Sequence, residues 1–137
     1  MSGRSFFDTN VLVYTDDRGV PDKRQTAMAL VEEHGRAGTG VISLQVLQEY
    51  FVNARKLGVS PGDARSKVEL FATGFDVAVL EADDVLAAID IHRAHGFSFW
   101  DALILKAASK AGCAVLLTED LQDGRVFDGV QVSNPFR

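Results

Sequence analysis

The chain has 137 residues, of which 47% are hydrophobic and 24% charged, and its 19 acidic side chains against 14 basic ones give a net charge of −5. That length is close to the commonest domain size and buries roughly two thirds of the unfolded surface, so one domain over residues 1–137 is expected. No apolar run approaches the ~18 residues of a membrane helix, the start MSGRSFFDTNVLVY lacks the layout of a secretory signal, and an acidic chain does not grip nucleic acid over a broad basic face. A cytoplasmic, non-membrane protein is the expectation.

In chain order, RSFF reads as a first strand running into Asp8, and TNVLVY reads as a short helix that Asp8 can cap. A helical stretch over 21–38 has no sharp end between Gly35 and Gly40, and GVIS at 40–43 is a second strand. Ser43 can cap the next helix, which puts Val46, Leu47, Tyr50, Phe51 and Ala54 on one face and Gln45, Glu49, Asn53 and Lys56 on another. In SPGDA, Ser60 caps, Pro61 fits the first helical position and Asp63 completes a capping box, followed by the stripe Ala64, Val68, Phe71 and Phe75. FDVAVL at 75–80 is a third strand, and Asp83 or Asp84 can open the helix that closes at Gly96. FSFWDALILKAA at 97–108 begins with another capping box, Ser98 to Asp101, and carries the apolar stripe Trp100, Leu103, Ile104 and Ala107. AVLLT at 114–118 and VQV at 130–132 are the fourth and fifth strands, with Cys113 an inert core thiol before the fourth. Strands separated by helices imply an α/β fold with a five-stranded, mainly parallel sheet and helices on both faces.

In such a sheet, ligands bind beyond the carboxyl ends of the strands. Asp8 follows the first strand there, and Glu119 and Asp120 follow the fourth; Glu49 and Asp101 can reach the same rim from the first turns of adjacent helices. Singly, each has a structural role open to it, as a cap, a turn residue or a solvated helix position. Together they would repel one another unless a hard divalent cation sits among them. Mg²⁺ or Mn²⁺ would also invert the local charge, so that an acidic protein accepts a phosphodiester.

FFDTNVLVY, VISLQVLQEYF, FSFWDALIL and VLLTEDLQDG, read in that order, resemble the PIN-domain nucleases, and most closely the VapC-type toxins of prokaryotic toxin–antitoxin pairs. The resemblance extends over essentially the whole chain, the closing VQVSNPF included. It implies a Rossmann-like fold and a Mg²⁺- or Mn²⁺-dependent endoribonuclease leaving 5′-phosphate and 3′-hydroxyl ends. It also implies a small VapB-like antitoxin partner and a homodimer. Motif by motif, it assigns the acids to Asp8, Glu49, Asp101 and Asp120, with Asn10 orienting Asp8 and Thr118 a supporting hydroxyl. Glu119 and Asp123 remain alternatives for the fourth acid. In one expected arrangement, one oxygen of Asp101 serves its helix and the other the metal.

Other chemistries find less support. The GTG at 38–40 lacks a third glycine and precedes a strand, and no Walker lysine motif or G-x-S-x-G elbow occurs. His92 and His95 lie three apart in a last helical turn, where solvated imidazoles are favoured by the helix dipole. Tyr14, Tyr50, Phe99 and Trp100 could stack on bases, but their apolar stripes assign them to core or interface. Tyr50, Phe51, Val52 and Leu57 could serve a partner, and Arg55, Lys56 or Lys106 could steer RNA. A phosphoacceptor receiver would need a lysine near the end of a late strand, which neither VLLTED nor VQVSNPF offers. A PIN-like module that binds RNA or a partner without cleaving it is the remaining alternative.

Overall fold

A computed structural model describes residues 3–137. Six strands and six helices alternate: β1 (Ser5–Phe7), α1 (Thr9–Tyr14), α2 (Pro21–Ala37), β2 (Gly40–Ser43), α3 (Leu44–Lys56), α4 (Pro61–Gly74), β3 (Asp76–Ala78), α5 (Ala82–His95), α6 (Phe99–Lys110), β4 (Val115–Leu117), β5 (Val126–Phe127) and β6 (Val130–Ser133). The sheet order is β3-β2-β1-β4-β6-β5, with every pairing parallel except β5 against β6. This is the expected α/β architecture with one strand more than the five anticipated. The extra strand comes from a two-residue hairpin: Asp128 and Gly129 have φ of 49° and 80°, the positive pair that an Asp-Gly turn supplies and that matches the twist of the flanking strands.

The helices begin where local chemistry starts them. Ser60 Oγ accepts from Asp63 N at 3.1 Å, with Pro61 at the first position of α4. The untidy stretch resolves into α2, ending at Gly38 with φ 71°, a left-handed turn that costs glycine little. For α5 the expectation is corrected by one turn: Glu81 is the cap, and Asp84 lies three residues inside, accepting from Glu81 N at 2.8 Å.

Phe6, Phe7, Val41, Ile42 and Leu116 of the central strands are fully buried, and Leu12, Tyr50, Phe71 and Leu105 cover them from helices. Each such apolar side chain stabilises the fold by about 1.5–3 kcal/mol relative to exposure. Cys113 is buried in this core, and burial pushes its thiol up to about 11. No helix among the described residues is long and apolar enough to cross a membrane. The consequence for the site is topological. The chain builds β1, β2 and β3 in one direction and then returns to place β4 on the other side of β1, so a crevice opens beyond the carboxyl ends of β1 and β4.

Candidate active site

Asp8 is the first residue past β1 and the N-cap of α1, its Oδ1 accepting from Thr9 N at 2.7 Å. Its backbone N–H still follows the sheet, donating to Leu117 O at 3.0 Å, which ties the start of α1 to the end of β4. The first residue past β4, Thr118, is fully buried and donates its hydroxyl to Asp8 Oδ2 at 2.7 Å. Thr118 Oγ1 in turn accepts from Asp120 N at 3.1 Å, fixing the turn that brings Asp120 round. Asn10 Nδ2 reaches Asp120 Oδ2 at 2.9 Å, Thr118 Oγ1 at 3.1 Å and Asp8 Oδ2 at 3.5 Å. One side-chain amide therefore ties together the two acids and the hydroxyl between them. Asn10 Oδ1 is buried with no hydrogen-bond partner among the described residues.

The other two acids come from helices. Ser43 caps α3 by accepting from Val46 N at 3.4 Å, and Glu49 lies in the second turn, one turn deeper than expected. Its Oε1 accepts from the Thr9 hydroxyl at 2.7 Å and its Oε2 from Gln45 Nε2 at 3.3 Å. Asp101 is in the first turn of α6, where its N–H donates to Ser98 Oγ at 3.1 Å. Only the Ser98 half of the expected capping box forms. Leu103, Ile104 and Ala107 anchor this helix in the core as the stripe predicts, but Trp100 is exposed.

Asp8, Glu49, Asp101 and Asp120 line one open pocket, together with Asn10, Asn53 and Lys56. The polar face of α3 forms one wall of it, since Gln45, Glu49, Asn53 and Lys56 all border the pocket. The alternatives for the fourth acid point elsewhere. Glu119 accepts from the Tyr14 hydroxyl and pairs with Lys23 Nζ at 3.0 Å, while Asp123 accepts from Asn134 N at 2.8 Å and faces Arg137.

The electrostatics of the pocket are unbalanced. Among the described residues, neither these four acids nor Asp17, which also borders the pocket, takes part in an ion pair. Asp8 is only 5% exposed, and burial raises its pKa to about 7, against the lowering effect of the Thr118 and Thr9 bonds and with further push from Asp120 and Asp101. Asp101 is raised too, first by burial and then by Asp120 and Glu49, with the Ser98 hydroxyl opposing. The donor set is oxygen throughout, the chemistry that suits a hard divalent cation. No three of the described His, Cys, Asp or Glu side chains close on a single point, so a cation here would be held by one or two carboxylates with water completing its shell, which is the usual habit of Mg²⁺.

The other polar residues singled out from the sequence fall outside this arrangement. His92 Nδ1 lies 2.5 Å from Phe97 O and His95 packs edge-on to Phe127. Arg55 donates to Val59 O at 2.8 Å, Lys106 lies on α6 near Asp84, and Lys56 alone of the basic residues borders the pocket. Tyr50 is fully buried, whereas Phe51, Val52 and Leu57 are exposed. Sequence reasoning passed over Thr9 and Gln45, which hold Glu49; Gln45, four residues before Glu49, had a helical-spacing signal.

The PIN domain family profile matches residues 5–126. A search of curated proteins finds no match. Among solved structures, a chain of a toxin-antitoxin complex from Klebsiella pneumoniae superposes with a TM-score of 0.68 at 22% identity, over 96% of this chain and 97% of that one. At that identity the likeness speaks for the fold, and the family profile, which spans most of the sequence, speaks for descent: the chain belongs to the PIN domain family.

Proposed function

We propose that this protein is a metal-dependent endoribonuclease and the toxin of a VapBC-type toxin–antitoxin pair. The observation that carries the reading is the set of four carboxylates around one pocket, none of them balanced by a cationic side chain among the described residues. An arrangement with Asp8 raised to about 7 is costly to the fold, and such strain persists where function requires it. Asp8 and Asp101 would be the principal ligands for Mg²⁺ or Mn²⁺, with Glu49 and Asp120 completing the cluster through water. The cation, when bound, would orient the scissile phosphate, lower the pKa of an attacking water and stabilise the leaving oxygen.

The chain's own residues prepare for that. Thr118 and Thr9 hold the two oxygens of Asp8 in a fixed plane, and Asn10 keeps Asp120 at its side. Thr9 and Gln45 hold Glu49, and Ser43 fixes the start of the helix that carries it. Lys56, the one basic side chain bordering the pocket among the described residues, attracts the RNA backbone. Likeness to a chain from a toxin-antitoxin complex supports a small antitoxin as the protein partner, and the exposed Phe51, Val52 and Leu57 offer apolar surface for a partner or for a second copy in a homodimer. Cytoplasmic RNA is the substrate class that fits such a toxin.

The test is cleavage of RNA by purified protein with Mg²⁺ or Mn²⁺. Wild type cuts, and folded Asp8→Asn and Asp101→Asn do not. Cutting by either variant at the wild-type rate overturns the assignment, and binding without cleavage by wild type would make the protein a non-catalytic PIN module.

A further inference from the structure

The pocket has a flank that the acids do not explain. Trp100 immediately precedes Asp101 and belongs to an apolar stripe whose other members are buried, yet it is 61% exposed. Its ring lies edge-on to Phe99, centroids 5.1 Å apart and planes at 66°. Phe99 packs against the small cluster formed by Ala88, Ala102 and Leu103. The indole is thus anchored without being covered.

Trp100 and Gln45 border two cavities at once: the acid pocket, and a second one of about 270 Å³. Gln45 Nε2 lies 3.4 Å from Trp100 O and 3.3 Å from Glu49 Oε2, which pins this dividing wall to the acid site. The second cavity is apolar on the side of Leu80, Val85 and Leu103, and Gln45 and Gln48 bring amides to it. Its volume lies below the range that houses drug-sized ligands. A flat heteroaromatic ring with polar edges matches this combination: an aromatic wall, aliphatic neighbours and amides that can both donate and accept.

The direction of the substrate follows from α3. Gln45, Glu49, Asn53 and Lys56 form one line along the acid pocket, about 16 Å from end to end at the helical rise. Lys56, a cation that suits a phosphate, lies at one end, Glu49 lies in the middle, and Trp100 stands at the other end beside Gln45.

Building on the nuclease reading above, we propose that Trp100 and the cavity behind it form a nucleobase subsite, taking one unstacked base of a single-stranded RNA next to the phosphate held at Asp101. Stacking on an aromatic side chain is available to every base, and the amides add a preference among base edges. A base paired in a duplex cannot enter, so the enzyme selects loops and single-stranded segments.

The chain has one tryptophan, so fluorescence excited at a wavelength that Tyr14 and Tyr50 do not absorb reports on this position alone. Asp8→Asn protein, which keeps Trp100, is titrated with a short unstructured oligoribonucleotide, with the same oligomer carrying one abasic ribose at successive positions, and with its duplex. The single strand quenches the emission, an abasic ribose at one position abolishes the quenching, and the duplex has no effect. Trp100→Phe retains binding, whereas Trp100→Leu and Trp100→Ala weaken it by roughly 5- to 150-fold. With the acids intact, the same two substitutions raise KM for RNA by that factor and change kcat less.

Cleavage by wild type without quenching overturns this subsite and leaves the nuclease reading standing. Quenching indifferent to the abasic ribose, or Trp100→Leu binding as well as Trp100→Phe, likewise overturns it. Emission that shifts with protein concentration in the absence of RNA, with Trp100→Ala dissociating a dimer, assigns the face to a second copy and overturns it too. If wild type neither cleaves nor binds any oligomer, both readings fall.

Discussion

Glu119 and Asp120 are neighbours in the loop after β4, and the difference between their surroundings separates two kinds of acid in this protein. Burial pushes Glu119 up, but bonds from the Tyr14 hydroxyl and Lys23 outweigh it and leave the carboxyl below its usual range. Asp16 has partners of the same kind, Lys67 Nζ at 3.1 Å and the Tyr50 hydroxyl at 2.5 Å, and Asp84 pairs with Lys110. Each has a cation on its own chain. Asp120, Asp8, Asp101 and Glu49 have none among the described residues; Asp120, Asp8 and Glu49 are held by hydroxyls and amides, which orient a carboxylate without neutralising it. The first group reads as structure, because its charges are balanced within the fold. The second is the set proposed above to take a divalent cation, because its charges are not balanced within the fold.

The largest effect expected from this contrast is on cleavage. Changes around a metal ligand cost 10–100-fold, so Asp101→Asn, which removes one of the proposed ligands outright, is expected to lower the rate by more than about 100-fold in a metal-dependent RNA assay while the circular dichroism spectrum stays unchanged. Thr118→Val keeps the shape of the side chain but removes the hydroxyl bonded to Asp8. It should lose about 10- to 100-fold in activity or metal affinity, measured by titrating Mn²⁺ against rate.

Stability should move the other way at Asp8. Its folded pKa, about 7, lies above the ordinary value of about 3.9, so between those pH values the native state holds more protons than the unfolded chain. The metal-free protein therefore loses stability as pH rises from about 4 to about 7, and the loss is complete above that. Asp8→Asn removes this slope. At pH 8 without metal it should be more stable than wild type by up to about 4 kcal/mol, as read from denaturant unfolding at several pH values. The smallest effect belongs to the balanced group: Glu119→Gln should change stability by about 1 kcal/mol or less and leave the cleavage rate close to that of wild type.

The sequence made some of this visible and hid the rest for identifiable reasons. Strand and helix alternation carried the parallel sheet, and Asp8 and Thr118–Asp120 could be placed at the rim because a strand's end is marked by where its apolar run stops. Which of Glu119, Asp120 and Asp123 borders the pocket could not be read, since the answer depends on Lys23 in α2 and Asn134 past β6 reaching across the fold. The β5–β6 hairpin was readable in FDGV through its Asp-Gly turn and was missed because β5 is two residues long. Helical spacing alone puts Trp100 on an apolar stripe, as core or interface. Spacing gives the face of a helix but not how far the neighbouring elements extend to cover it, and Trp100 lies in the first turn, where the two cavities open.

The central claim is that the four unbalanced carboxylates form a cation site, and calorimetric titration with Mn²⁺ at pH 7, in two buffers of different ionisation enthalpy, tests it most directly. Wild type should bind and release protons on binding, because Asp8 is partly protonated at that pH and a ligating carboxylate must give its proton up. Asp8→Asn should bind more weakly with the release much reduced, Asp101→Asn should bind more weakly, and Glu119→Gln should match wild type. Equal Mn²⁺ affinity in wild type, Asp8→Asn and Asp101→Asn would contradict the account.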